Sequence, residues 1–187
     1  MESHYPLFAK LNARGGSVGI SSYNKIENPS QLNSTIERLK VRYPNDDILV
    51  ETYLAGREFT VGILGTGKAA RVIGVLELKW SQCPTGEETQ VVDFGTQYAK
   101  ESLSSGGNEH IETPGINDPK ATLASKVALD AYRVLRCRDA GRIDVRFGSG
   151  DRENVAHVID VSWTCVQKVM LVDIHFWAGW YTPSHSS

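Results

Sequence analysis

The chain has 187 residues, enough for one well-packed domain, or one domain and a piece of another. Its 41% hydrophobic and 22% charged content is that of an ordinary soluble globular protein, and a formal charge of −2 gives no electrostatic case for binding nucleic acid or an anionic membrane. Three cysteines, Cys83, Cys137 and Cys165, without CxxC spacing argue against a disulfide framework and a zinc site, and fit a reducing compartment.

The N-terminal "MESHYPLFAK" lacks an apolar core of the kind that directs secretion, so the cytosol is the expected location. Residues 5–10 read as a short strand ending at Lys10, followed by the glycine-rich loop "LNARGGSVGIS" over 11–21. Asn28 as N-cap, Pro29 at the first helical position and Gln31 at capping-box spacing then predict a helix with Leu32, Ile36 and Leu39 on one face, ended by Pro44. Strands are expected at 48–54, 57–64 and 69–78, the last two joined as a hairpin through Gly65-Thr66-Gly67-Lys68. Residues 81–118 read as a long polar loop with one strand near "TQVVDF". Asp118 and Pro119 repeat the cap-and-proline signal before a second helix, whose expected face is Leu123, Val127, Ala131 and Val134. Two strands follow, 141–147 and 155–161, joined by "GSGDREN". The tail run "VMLVDIHFWAGW" is apolar but contains Asp173 and His175, and it falls short of the ~20 residues a membrane span needs. Strands with two capped helices predict an α+β fold, a mixed sheet with packed helices.

Three features could carry chemistry. In "ARGGSVG", Gly15, Gly16 and Gly19 allow close approach and positive φ, so that backbone N–H groups can converge on an anion; Ser17 adds a hydroxyl and Lys10 a full charge. The same loop also reads as a plain flexible connector. In "ILVETYLAGREF", Glu51 and Glu58 could accept hydrogen bonds from an amino group or vicinal hydroxyls, or could be solvated charges that guard a sheet edge. In the last strands, alternation puts Arg142, Asp144 and Arg146 on one face of "GRIDVRF", and Val158 with Asp160 on one face of "HVIDV". Were those strands neighbours, Asp144 and Asp160 would be close and would need protonation, pairing or a bridging cation, for which magnesium is suited. The alternative is Asp144 in a structural ion pair with Arg142 or Arg146.

Together and in this order, "FAKLNARGGSVGIS", "ILVETYLAGREFTVGILG", "GRIDVRF" and "HVIDV" resemble the ATP-grasp fold, and most closely the ATP-binding, C-terminal part of D-alanine–D-alanine ligases. The resemblance implies an ATP-grasp domain over 1–161, partial, and a ligase that joins a carboxylate to an amine at the expense of ATP through an acyl phosphate. It implies that Lys10 contacts phosphate and that Gly15, Gly16, Ser17 and Gly19 close over the triphosphate. Glu51 and the backbone near Leu54 would read adenine, and Glu58 would hold the ribose. Asp144 would bind one of two Mg2+ ions, Asp160 would bridge both, and Arg142 would stabilise the charge that develops as the acyl phosphate is attacked, with Ser17 also at the reacting groups. The expected partners are ATP and a small amino acid, without nucleic acid or membrane; the resemblance leaves room for a homodimer.

Three departures accompany it. The similarity begins partway through the family's ATP-binding region, beyond its N-terminal domain. In the phosphate-covering segment Tyr98 matches, while Gln97 stands where a lysine is expected, with Lys100 nearby. Ser162 stands where the family has a metal-binding asparagine, and 162–187 is a divergent tail holding three of the four tryptophans. A Val-Ser pair can be encoded by GTGAGT, an intron boundary, so the tail reads either as translated intron or as a genuine divergent end. The competing functional readings are an ATP-binding variant without turnover and an ATP-grasp ligase for another amino acid.

Overall fold

The computed structural model describes residues 5–15, 17–80 and 109–164. The chain divides into two compact units, one taking in the residues up to Gly56, the other built on Arg57–Leu78, Ile111–Phe147 and the strand after Asn154.

In the first unit, β1 (Leu7–Leu11) lies between β2 (Lys25–Ile26) and β3 (Ile48–Thr52), antiparallel to both. Helix α1 (Pro29–Arg42) starts where the cap signal put it: Asn28 accepts from the Gln31 N–H at 3.0 Å. The Gln31 side chain accepts from the Glu27 N–H, one residue before the position a standard capping box would use. Ala9, Leu11, Ile26 and Leu39 form the small core, with Leu7, Val18, Leu32, Tyr43 and Ile48 packed against it.

The second unit holds a five-stranded sheet in the order β6-β5-β4-β7-β8, from β4 (Glu58–Leu64), β5 (Arg71–Trp80), β6 (Glu109–Glu112), β7 (Ala140–Phe147) and β8 (Ala156–Thr164). The β4–β5 hairpin is present, and Gly65 (φ +105) belongs to its turn because an added Cβ would lie 2.7 Å from the Ala69 carbonyl oxygen. Strand β6 falls inside the stretch expected to be loop, while the "TQVVDF" strand lies outside the described residues.

Helix α2 (Pro119–Val134) is capped by Asp118, which accepts from the Lys120 and Ala121 N–H groups at 2.9 and 3.1 Å. The face it buries corrects the sequence expectation. Ala121, Ala124, Ala128 and Tyr132 are buried; of the expected face, Leu123 and Ala131 pack against the core from its edge, whereas Val134 is 80% exposed. Small side chains let the helix lie close on the sheet, and Tyr132 donates to the Gly65 carbonyl at 3.2 Å. Against them pack Phe59, Val61 and Ile63 of β4 and Ile143, Val145 and Phe147 of β7, with Phe59 and Phe147 edge to face at 5.7 Å. Among the described residues no helix is long and apolar enough to cross a membrane.

Candidate functional site

With the odd-numbered residues of β4 and β7 committed to the core, alternation sends Glu58, Thr60, Arg142, Asp144 and Arg146 to the opposite face. Register then aligns them in rows. Glu58 lies opposite Arg146; Thr60 lies opposite Asp144, which lies opposite Asp160; Gly62 lies opposite Arg142, which lies opposite Ser162.

The acid row is closely bonded. The Thr60 hydroxyl donates to Asp144 Oδ1 at 2.9 Å, and Arg142 Nη2 donates to Asp144 Oδ2 at 3.1 Å. The same Nη2 is 3.9 Å from Asp160 Oδ2, which also accepts from the Ser162 hydroxyl at 2.9 Å. The pairing of Asp144 with Arg142 that the sequence left open is therefore present. Arg146 instead pairs with Glu58 at 3.1 Å. The two acids differ in depth: the Asp144 side chain is 15% exposed and that of Asp160 50%. Burial holds the Asp144 carboxyl above its ordinary value of 3.8, against the pull of Arg142 and the Thr60 hydrogen bond, with Asp160 adding to the rise.

A shift in register between Asp144 and Val145 sets this alignment. Strict alternation put Val158 and Asp160 on one face, but the shift brings Asp160 opposite Asp144 and Val158 opposite Val145, leaving Ile159 as the extra residue. The bulge makes the acids direct neighbours.

The oxygen donors Asp144, Asp160 and Ser162 in adjoining rows fit a hard cation. Among the described residues no cluster of three or more His, Cys, Asp or Glu residues could hold a metal, and the described row offers two carboxylates. That suits magnesium, which completes its shell with phosphate oxygens and water.

In the first unit, Lys10 and Glu51 form an ion pair at 2.8 Å across the β1–β3 ladder, where Glu51 lies opposite Phe8, on the same face of β1 as Lys10. Glu51 is thus a half-buried, paired residue of an edge strand. Glu58 lies in β4, flanked by β5 and β7, and is buried, which removes the reading of it as a solvated edge charge. Leu54 is half-buried just beyond the end of β3. In the glycine-rich loop positive φ falls on Ser17 (+57) and Gly19 (+77), not on Gly15. A Cβ at Gly19 would come within 3.1 Å of Tyr43 and 3.2 Å of Leu11. Gly16 and Tyr98 lie outside the described residues, as do the tail residues from 165 onward.

Sequence reasoning missed two residues. Thr60 shares the face of the candidate acids, and alternation in β4 could have found it, whereas alternation had already put Arg146 on that face and only its partner, Glu58, is new. Asn24 is fully buried; its Nδ2 donates to the Ala9 and Gly19 carbonyls at 2.6 and 2.9 Å, and its Oδ1 accepts from Ser21 N–H and Oγ at 3.0 and 2.8 Å. It ties the far end of the glycine-rich loop to β1, beside Lys10. Asn24→Ala is expected to lower stability by about 2 kcal/mol, since two carbonyls lose their donor at a buried position. Thermal melting checks this, and an unchanged midpoint would mean that water replaces the amide.

Compared with solved structures, the chain resembles the D-alanine–D-alanine ligase of Bacillus anthracis complexed with ATP, at TM-score 0.59 and 16% identity, covering 94% of this chain and 47% of that one. It matches the VanG D-Ala:D-Ser ligase of Enterococcus faecalis at TM-score 0.59 and 22% identity, covering 85% of this chain and 40% of that one. The fold is therefore ATP-grasp, represented in part. The family model of the D-ala D-ala ligase C-terminus matches residues 1–159, and the chain belongs to that family. Similar curated proteins include the D-alanine–D-alanine ligases of Thermotoga petrophila, 29% identical over 146 residues, and Geobacter sulfurreducens, 34% identical over 143. These alignments cover 78% and 75% of this chain, which spans only 43% and 38% of the relatives' own lengths.

Proposed function

We propose that the chain is the ATP-binding, C-terminal part of a cytoplasmic, ATP- and magnesium-dependent ligase of the D-alanine–D-alanine ligase type. The observation that carries this reading is the row of Thr60, Asp144 and Asp160 with Arg142 bonded beside it, in a chain of this family. In the reaction a substrate carboxylate oxygen bonds to the γ-phosphorus as the bond to ADP breaks. An amine nitrogen then bonds to the acyl carbon, inorganic phosphate leaves, and the amine proton passes to solvent.

Each residue has a part in this. Lys10 offsets phosphate charge, and the loop carrying Gly15, Gly16, Ser17 and Gly19 closes over the triphosphate with Tyr98. Glu51 and the Leu54 backbone read adenine, and Glu58 accepts from the ribose hydroxyls. Arg142 stabilises the oxyanion formed during amine attack. Magnesium, held by Asp144 and Asp160 with Ser162 beside them, would neutralise the triphosphate when bound.

The test is phosphate release from ATP with and without D-alanine. D-alanine-dependent release supports the proposal; ATP binding without release would make the chain a nucleotide-binding fragment, and release with another amino acid would change the substrate. Glu58→Ala is expected to weaken ATP about tenfold or more while sparing tripolyphosphate, because only ATP offers ribose hydroxyls to the carboxylate. Equal losses in calorimetry would remove Glu58 from the ribose.

A further inference from the structure

We propose that Arg146 is a positioning residue for nucleotide recognition, acting through Glu58; the inference rests on the ribose role proposed for that carboxylate. Glu58 and Arg146 are each 8% exposed, lie directly opposite in the β4–β7 ladder, and meet at 3.1 Å between Oε2 and Nη1. They stand on the face that also carries Thr60 and Asp144.

Packing alone does not call for such a pair. On this face the next row of the same two strands, Thr60 with Asp144, is polar as well, and the rows between, Phe59 with Val145 and Val61 with Ile143, turn their hydrocarbon to the core on the other side of the sheet. A buried ion pair contributes less to stability than apolar residues of similar volume, because both charges must be desolvated. What it does supply is a carboxylate fixed in one orientation by a charged partner. A guanidinium stays charged at every working pH, and its donors fix the oxygen they engage. An ionised, oriented carboxylate is the acceptor that vicinal hydroxyls require, whereas a protonated one would present a competing donor.

The test is calorimetry on the full chain with ATP and with inorganic tripolyphosphate, magnesium present, for Arg146→Met, Arg146→Lys, Glu58→Gln and the double variant Glu58→Gln/Arg146→Met. Arg146→Met is expected to weaken ATP about tenfold and leave tripolyphosphate unchanged, Arg146→Lys to recover part of the loss, and the double variant to match Glu58→Gln. A merely structural role would not separate the two ligands. Equal losses for both would place Arg146 on the phosphates, and a double variant weaker than Glu58→Gln would show independent action; either overturns the proposal. Should Arg146→Met fail to fold with Glu58 left unpaired, the double variant, which buries no lone charge, decides by the same comparison. A wild-type chain that binds neither ligand sinks the nucleotide reading and this inference with it. One that binds both, with every Arg146 variant unchanged, sinks this inference alone.

Discussion

Changing Asp144 to asparagine is expected to weaken magnesium-dependent ATP binding by about a hundredfold or more while making the metal-free protein more stable. The affinity scale follows from metal sites generally, where losing even an outer-shell partner costs roughly 10–100-fold. The gain in stability follows from burial. Asp144 has its carboxyl raised above 3.8, burial outweighing Arg142 and Thr60, so the folded state holds its proton to higher pH than the unfolded chain does. Its contribution is then fully present below the unfolded value and is lost as pH rises through the folded one. Asparagine cannot ionise and so escapes the cost that burial imposes on the charged form, while its amide oxygen still accepts from Thr60. Thermal melting with and without Mg2+ and ATP reads both effects. The variant should melt higher than wild type without ligand and gain little from it. A lower ligand-free midpoint would mean that the Arg142 pairing outweighs burial, and undiminished ATP affinity would take Asp144 out of the metal site.

The largest loss of stability is expected from Arg57→Ala. Arg57 Nε and Nη2 donate to the two Glu77 oxygens at 2.6 and 2.7 Å, Nη2 also reaches Asp118 Oδ2 at 2.6 Å, and the guanidinium lies 4.9 Å from the centre of the Phe59 ring. Glu77 is 4% exposed, so alanine would leave a buried carboxylate without its cation. Breaking a buried pair costs about 3–5 kcal/mol; with the Arg57 side chain 35% exposed, about 3 kcal/mol is the reasonable figure, or a midpoint lowered by roughly 6–12 °C. Arg57→Lys should recover only part, since an ammonium cannot span both oxygens of Glu77. The clamp also has a pH signature. Asp118 is held below 3.8, chiefly by the Arg57 hydrogen bond, so its stabilisation is present above that value and lost as pH falls through the depressed one. Wild type should therefore lose more stability on acidification than Arg57→Ala does. Parallel acid profiles would remove Asp118 from the clamp.

Much of this molecule is written locally. Asn28-Pro29 and Asp118-Pro119 announce both helices, and the caps form where the spacing puts them. The hairpin through Gly65 is equally legible, as is the face of β7 that carries Arg142, Asp144 and Arg146. These signals lie within a few residues of what they control, so propensity, alternation and turn chemistry suffice to read them. Local periodicity failed where the tertiary partner made the choice. In α2 the expected face was right at Leu123 and Ala131, which pack against the core, but close approach to the sheet put Ala121, Ala124, Ala128 and Tyr132 at its centre and left Val134 exposed.

The amino-acid sequence by itself determined both helices and their caps, most of the strands, the family and the identities of the acids and bases available to a site. Only the tertiary structure decided which of them meet. The β8 bulge sets Asp160 against Asp144 where strict alternation would misplace its neighbours, and register gives Arg146 to Glu58 rather than to Asp144. Asn24 closes the glycine-rich loop onto β1, and Arg57 joins Glu77 to a helix cap 61 residues away. The physical reason is separation along the chain: alternation and capping act between near neighbours, whereas a buried charge finds its partner only after folding has excluded water and brought distant strands into register.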